Sequence, residues 1–369
     1  MWDENMNDHV IAIIGACGAA GEVVTRLLAA NTNNEIIIAD INFEKVKVLA
    51  DLLRENIRPM PIDVFEKTQL RHICQISNII VNCAGPTVKI RDTVGRIAFQ
   101  EGCDYVEIGG YDYSDTALLN EINQHSTLSY IISAGWFSGI ADYLTYYADR
   151  RADAIFDEKE NMVFFAGDRG WWSDSGLLDT VRFAKQKATQ SMRIAKAGKL
   201  RQALSPTKSF ALPFGLKKQR GFLNMTPDLE TFARYHKEYH EIRGYLILFG
   251  WKTYFTIMKI ALLWRSDEKC IQALKQAYHD EVTQKGKLSI AMVKITGQKD
   301  GKTMQLWTGI ESTEGYFMTG AGCAATVMLL LQHKVKKGFG YMSESVDVAE
   351  YAATLNKLGI QIVEKLEPQ

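Results

Sequence analysis

A chain of 369 residues is long enough for two domains, and its 43 Lys and Arg balance its 43 Asp and Glu. Zero net charge without a basic stripe argues against a nucleic-acid partner. Six cysteines lacking any C-x-x-C pair suit reduced thiols in a cytoplasm, not a disulfide framework or a zinc site, and residues 1–5 carry no apolar leader. A cytoplasmic location, with no bound metal, is therefore expected.

The first predicted strand, over 10–14, runs into Gly15, Gly18 and Gly21 and then into a helix. A strand that turns through glycines into a helix aims backbone N–H groups and the positive end of a helix dipole at one point, which suits a pyrophosphate. The spacing G-x-x-G-x-x-G is less diagnostic than G-x-G-x-x-G. A second apolar strand over 35–40, ending in Asp40, strengthens it. An acid there accepts hydrogen bonds from adenosine ribose hydroxyls and repels a 2′-phosphate, so NAD is expected in preference to NADP. Lys45 and Lys47 read as helix surface.

Alternation continues: helix 43–54, strand 59–64, helix 66–75, strand 77–82, the turn 83–86, helix 90–101, strand 103–108, helix 115–124 and strand 128–133. Repeated units of this length predict an α/β fold, a Rossmann doubly wound parallel sheet. The Gly15 turn and the Ala84-Gly85-Pro86 turn then both lie at carboxyl ends of strands, beside the switch point where dinucleotides bind.

Beyond residue 142 the pattern changes. A strand over 161–166 leads into a glycine- and tryptophan-rich loop, 167–176, and a helix from about Leu177. Residues 199–229 read as irregular, and 288–296 with 303–311 as a hairpin around 297–301. Further elements are a helix from Phe317, a helix over 346–358 and a last strand over 359–364. Residues 244–264 are apolar except for a stripe of Lys252, Thr256 and Lys259. A bilayer span would bury two lysines at ~2.5 kcal/mol or more each, so no span is expected. A helix at a subunit or domain interface, an in-plane membrane-surface helix and the wall of a greasy channel all fit.

From residues 81–86 (V-N-C-A-G-P) and 101–109 (E-G-C-D-Y-V-E-I-G) the chain resembles the saccharopine dehydrogenase-like family. The likeness continues at 135–139, 315–320 and 338–344. It implies an NAD(P)-dependent oxidoreductase, a homodimer, and a dinucleotide domain over 1–142 completed by about 320–369. Residues 143–319 would form an α+β domain with a mixed or antiparallel sheet for substrate and dimerisation. The resemblance further implies that Gly15, Ala16, Cys17, Gly18, Ala19 and Ala20 wrap the pyrophosphate, with Gly21 closing the turn, and that Asp40 holds the ribose. Asp63 and Val64 would lie by the adenine, and Ala84, Gly85 and Pro86 by the nicotinamide half; Glu107 fits a buried place near the cofactor or a surface or hairpin carboxylate equally well. The chain departs from the G-x-D-P-G of lysine-pathway members: Gly135-Trp136-Phe137-Ser138-Gly139 lacks an aspartate to meet a substrate amine. That departure, with Trp171, Trp172 and 244–264, favours a small organic substrate bulkier or greasier than saccharopine.

Hydride transfer needs one proton donor or acceptor beside the cofactor. Tyr111, Asp112, Asp142 and Arg169 are the candidates, Arg169 as a carboxylate grip; turn and helix-cap roles fit each equally well. His236 and His240, read as i, i+4 on a helix near Glu241, favour a charged surface over a metal site. No Tyr-x-x-x-Lys occurs, and no cysteine lies between Cys103 and Cys270, which argues against short-chain and cysteine-nucleophile dehydrogenases. A non-catalytic NAD(P)-binding redox sensor is the rival reading.

Overall fold

The computed structural model describes residues 9–369 apart from 111–115, 126, 187–191, 204, 206, 217, 264 and 265. Two compact units emerge, residues 1–140 with 316–359 and residues 141–315 with 360–369.

The chain opens with β1 (Val10–Ile14), α1 (Ala19–Asn31), β2 (Glu35–Asp40), α2 (Phe43–Asp51), β3 (Ile57–Pro61), α3 (Lys67–Gln75) and β4 (Ile79–Asn82). A short α4 (Thr87–Ile90) follows, then α5 (Thr93–Gln100), β5 (Asp104–Glu107), α6 (Thr116–His125) and β6 (Ser129–Ile132). Helix α7 (Ile140–Asp153) leads into the second unit, with β7 (Glu158–Arg169), α8 (Asp174–Gln186), β8 (Arg193–Lys196), β9 (Lys199–Gln202), β10 (Thr207–Ala211) and β11 (Lys218–Leu223). Next come α9 (Pro227–Tyr235), β12 (Glu241–Ile247), α10 (Trp251–Leu262), α11 (Asp267–Lys285), β13 (Leu288–Lys299) and β14 (Lys302–Ser312). Helix α12 (Gly315–Leu331), β15 (Gly338–Tyr341), α13 (Met342–Ser345) and α14 (Val348–Lys357) return to the first unit, and β16 (Val363–Pro368) ends the chain.

The first unit holds a seven-stranded sheet in the order β15-β6-β5-β4-β1-β2-β3. All its pairs are parallel. Its central strands β1, β2 and β4 read as near-continuous Ile, Val and Ala because both faces are buried. β1 sits between β2 and β4, so the chain direction of winding reverses at the carboxyl end of β1. This is the doubly wound α/β sheet the alternation predicts.

The second unit is built on a mixed sheet, β10-β11-β12-β7-β13-β14-β16, with β8 and β9 branching from β12. Only β12 with β7 is parallel among the described pairs. Its core stacks Phe165, Tyr245 and Trp307 on one sheet face.

Several expectations are corrected. The closing residues 360–369 belong to the second unit, because β16 pairs with β14; they do not complete the first. Residues 199–229 contain β9, β10, β11 and the start of α9, which proline and lysine content disguised. The hairpin turns at Asp300-Gly301, both at positive φ, while Gly297 lies inside β13. Residues 244–264 are not one helix: β12 ends at Ile247, and α10 starts after Gly250. There a Cβ would fall 1.7 Å from Glu281 Cδ. Among the described residues no helix is long and apolar enough to cross a membrane.

Candidate functional site

At the carboxyl end of β1 the backbone turns through Gly15 at φ +78. A side chain there would stand 2.6 Å from the Ala84 amide nitrogen, so the β4 turn passes over it only because it is glycine. Gly21, in the first turn of α1, packs against the strand: a Cβ would meet Gly15 O at 2.1 Å. Gly18 is the N-cap of α1, where a Cβ would press on Gly15 O at 3.3 Å, a tight contact but far milder than those at Gly15 and Gly21.

The loop amides divide into two sets. Gly15 and Ala16 both donate to Ala39 O, Cys17 to Asp40 Oδ2 at 3.1 Å, and Gly18 to Gly15 O. Glu22 makes the first helical bond, to Gly18 O, and no side chain caps the helix. The N–H groups of Ala19, Ala20 and Gly21 are therefore the uncapped ones. An uncapped helix start floored by glycine is a fit for a diphosphate. Gly15, Ala16, Cys17 and Gly18 thus use their amides on the loop itself, and those of Ala19, Ala20 and Gly21 have no partner among the described residues.

Asp40 ends β2 half-exposed, with Oδ1 accepting from Asn42 N at 3.0 Å. Burial first, then the Asp40 carboxylate, pushes the Cys17 thiol up to about 11, so it stays protonated. Asp63 follows β3 and accepts from Phe65 N at 2.9 Å, ordering the turn into α3, while Val64 packs on the core.

Across the switch point, Asn82 ends β4 buried. Its Oδ1 accepts from Ala84 N at 3.1 Å, and its Nδ2 donates to Tyr105 OH at 3.0 Å. Tyr105 OH in turn donates to Glu107 Oε2 at 2.7 Å. This buried chain fixes the turn at Ala84, Gly85 and Pro86, whose Gly85–Pro86 peptide is cis. Glu107 is buried at the end of β5, where a Cβ on Gly110 would lie 3.1 Å from its Cδ.

The proton-transfer candidates fare differently. Tyr111 and Asp112 lie outside the described residues. Asp142 is buried, and its Oδ1 accepts from Thr226 Oγ1 at 2.6 Å; that same Oγ1 caps α9 by accepting from Leu229 N. Arg169 donates to the Gly286 and Lys285 carbonyls at 2.7 and 3.1 Å. Burial, the larger influence, lowers its pKa. A cation on the last carbonyls of α11 is a helix cap, and its fork is occupied by that task. Sequence reasoning passed over Asp168, which accepts from Ser289 Oγ and Trp172 Nε1, both at 2.6 Å. A lone acid following the apolar run 162–166 was its available signal.

His236 and His240 do not share a helix, because α9 stops at Tyr235 and Glu241 begins β12. His236 instead stacks on Phe232 and joins Asp149 and Glu238 in a set of three metal-capable groups. Lys159 Nζ already sits there, 2.6 Å from Asp149 and 3.4 Å from Glu238, and supplies the positive charge.

A parallel sheet with its glycine turn, uncapped helix and acid-tipped second strand defines a dinucleotide-binding domain. Residues 11–130 match the family model described as "Saccharopine dehydrogenase NADP binding domain". This part of the chain is similar to the dinucleotide-binding domain of that family. Over 97% of its length the fold is similar to apo saccharopine dehydrogenase (L-Glu forming) from Saccharomyces cerevisiae, covering 99% of that chain at a TM-score of 0.69 and 14% identity. A curated relative, the "Lipid droplet localized protein" of Caenorhabditis elegans, is 21% identical over 221 residues, 55% of this chain. The match takes in 50% of that relative's length, so the chain spans about half of it.

Proposed function

We infer that this chain is a nicotinamide-dependent oxidoreductase of the saccharopine dehydrogenase-like kind, preferring NAD(H), that acts on a small organic substrate less polar than an amino acid. The observation that carries the reading is the uncapped start of α1 above Gly15 and Gly21, with the Asp40 carboxylate at the neighbouring strand end. The cofactor, when bound, supplies the hydride chemistry. The residues around it do the holding: amides of Ala19, Ala20 and Gly21 for the diphosphate, Asp40 for the ribose, Asp63 and Val64 beside the adenine, and the braced turn Ala84-Gly85-Pro86 for the nicotinamide half. Asp40 is what supports NAD over NADP, since its charge opposes a 2′-phosphate.

One observation favours a second reading, a dinucleotide-binding sensor without turnover. Asp142 and Arg169, the acid–base and carboxylate-gripping candidates among the described residues, are both tied into helix caps.

Calorimetry with NAD+, NADH, NADP+ and NADPH, followed by NADH absorbance in the presence of imines, 2-oxo acids and enoyl thioesters, separates the outcomes. Binding with loss of absorbance is expected. Binding without turnover on any substrate favours the sensor, tighter binding of NADPH overturns the NAD preference, and no heat with any dinucleotide removes the whole reading.

A further inference from the structure

Helix α10 shows solvent the wrong kind of face. At about 100° per residue, Trp251, Phe255, Met258 and Leu262 (spacing i, i+4, i+7, i+11) fall within roughly 60° of one another. Trp251, Phe255 and Leu262 are 60%, 55% and 73% exposed, and Leu263 beside them is exposed too. Thr253 and Ile260, about 180° around, are the residues this helix buries. The helix is firmly mounted: Glu281 of α11 accepts from Thr253 N at 3.0 Å and from Thr253 Oγ1 at 2.8 Å, while Ile260 packs with Leu177, Val181 and Leu274. So the apolar stripe is a fixed surface feature, not a loose segment.

One edge is cationic. Lys252 and Lys259 flank the stripe on one side, and α10 carries no acidic residue. The Arg220 guanidinium lies 5.2 Å over the Trp251 ring. Lys252 is bridged to Asp280 at 2.7 Å, whereas Lys259 has no carboxylate partner among the described residues. An apolar strip ending in a tryptophan and bordered by lysines matches an interface between acyl chains and anionic headgroups, with the ring at headgroup level and the ammonium groups reaching outward.

A second copy of the chain fits less well. The strip offers five exposed apolar side chains, against roughly 20–30 residues a side in a standard stable interface. Interface cores also exclude lysine, which borders this strip along its length.

We propose that α10 docks this protein, lying in plane, on an anionic phospholipid surface. This goes beyond the cofactor reading and does not depend on it, because every residue involved lies in the second unit.

The test is flotation of the full chain with vesicles of phosphatidylcholine containing about 30 mol % phosphatidylserine, and with phosphatidylcholine alone. Flotation on the anionic vesicles, with quenching of tryptophan fluorescence by brominated acyl chains, is expected. The combined variant Trp251→Ser, Phe255→Ser and Leu262→Ser should lose roughly tenfold or more of that binding, with its melting temperature and near-ultraviolet dichroism intact. Arg220→Glu with Lys259→Glu should lose binding to the anionic vesicles selectively. Absence of wild-type flotation, flotation unchanged in the triple variant, or a dimer by light scattering that the triple variant dissociates would each overturn the proposal. The last would make α10 a contact between copies.

Discussion

The backbone N–H of Cys17 donates to the carboxylate of Asp40 at 3.1 Å, tying the glycine turn to the tip of the second strand. One acid thus shapes the glycine turn and, in the function proposed above, also holds the ribose. Asp40→Ala removes both services, and a charged hydrogen bond of this kind contributes about 1.5–3 kcal/mol. NADH binding should weaken by roughly ten- to a hundredfold, and NADPH binding by much less, because repulsion of the 2′-phosphate disappears with the carboxylate. Calorimetric titration of wild type and variant with both cofactors checks this. Equal losses would show that Asp40 does not discriminate between them.

The three glycines of the turn are not equivalent. Gly21→Ala drives a methyl group to 2.1 Å from Gly15 O, whereas Gly18→Ala meets nothing closer than 3.3 Å. Overpacking at the first site should cost about 1–3 kcal/mol or more, visible as a lowered melting temperature. Gly18→Ala should melt within a degree or two of wild type yet bind NADH more weakly, since its methyl stands at the mouth of the uncapped helix. A Gly21→Ala protein as stable as wild type would mean the helix can shift freely off β1.

The parts of the site that were legible in sequence are those made by neighbours in sequence. Val10 to Asp40 is one strand–turn–helix–strand unit, and its glycine spacing and terminal acid follow from local geometry. A parallel sheet wound on both faces followed from alternation, but not its strand order, and the edge strand β15 was not expected. What escaped depends on distant partners: nothing near Arg169 says that the carbonyls of Lys285 and Gly286 will occupy it. Periodicity also fails where a strand and a helix are both apolar, so β12 and α10 merged into one stretch although Gly250 separates them. The His236–His240 spacing misled for a related reason, since i, i+4 means one face only if the helix continues.

Tyr105 couples the two strand ends flanking the switch point, accepting from Asn82 Nδ2 and donating to Glu107. All three side chains are buried, so water cannot replace a missing partner cheaply. Tyr105→Phe removes an acceptor and a donor at once while conserving shape. It should lower unfolding free energy by about 1–3 kcal/mol, read from urea denaturation at neutral pH. A loss below a few tenths would mean the network relaxes onto other groups and does not brace the Ala84-Gly85-Pro86 turn.

Asp168 gives a pH signature in the second unit. Burial, its largest influence, raises the carboxyl pKa above the usual 3.8, and the bonds from Ser289 and Trp172 oppose that only in part. A carboxyl raised in the folded state holds its proton more tightly there than in the unfolded chain. As pH climbs from about 4 the unfolded state therefore ionises first, and the fold loses stability until pH passes the raised value. Asp168→Asn does not titrate and serves as the reference. The stability of wild type relative to this variant should fall as pH rises from about 4 and then level off, in denaturant titrations buffered at intervals up to neutrality. A gap that instead widens in favour of wild type with rising pH would mean Ser289 and Trp172 stabilise the carboxylate more than burial penalises it.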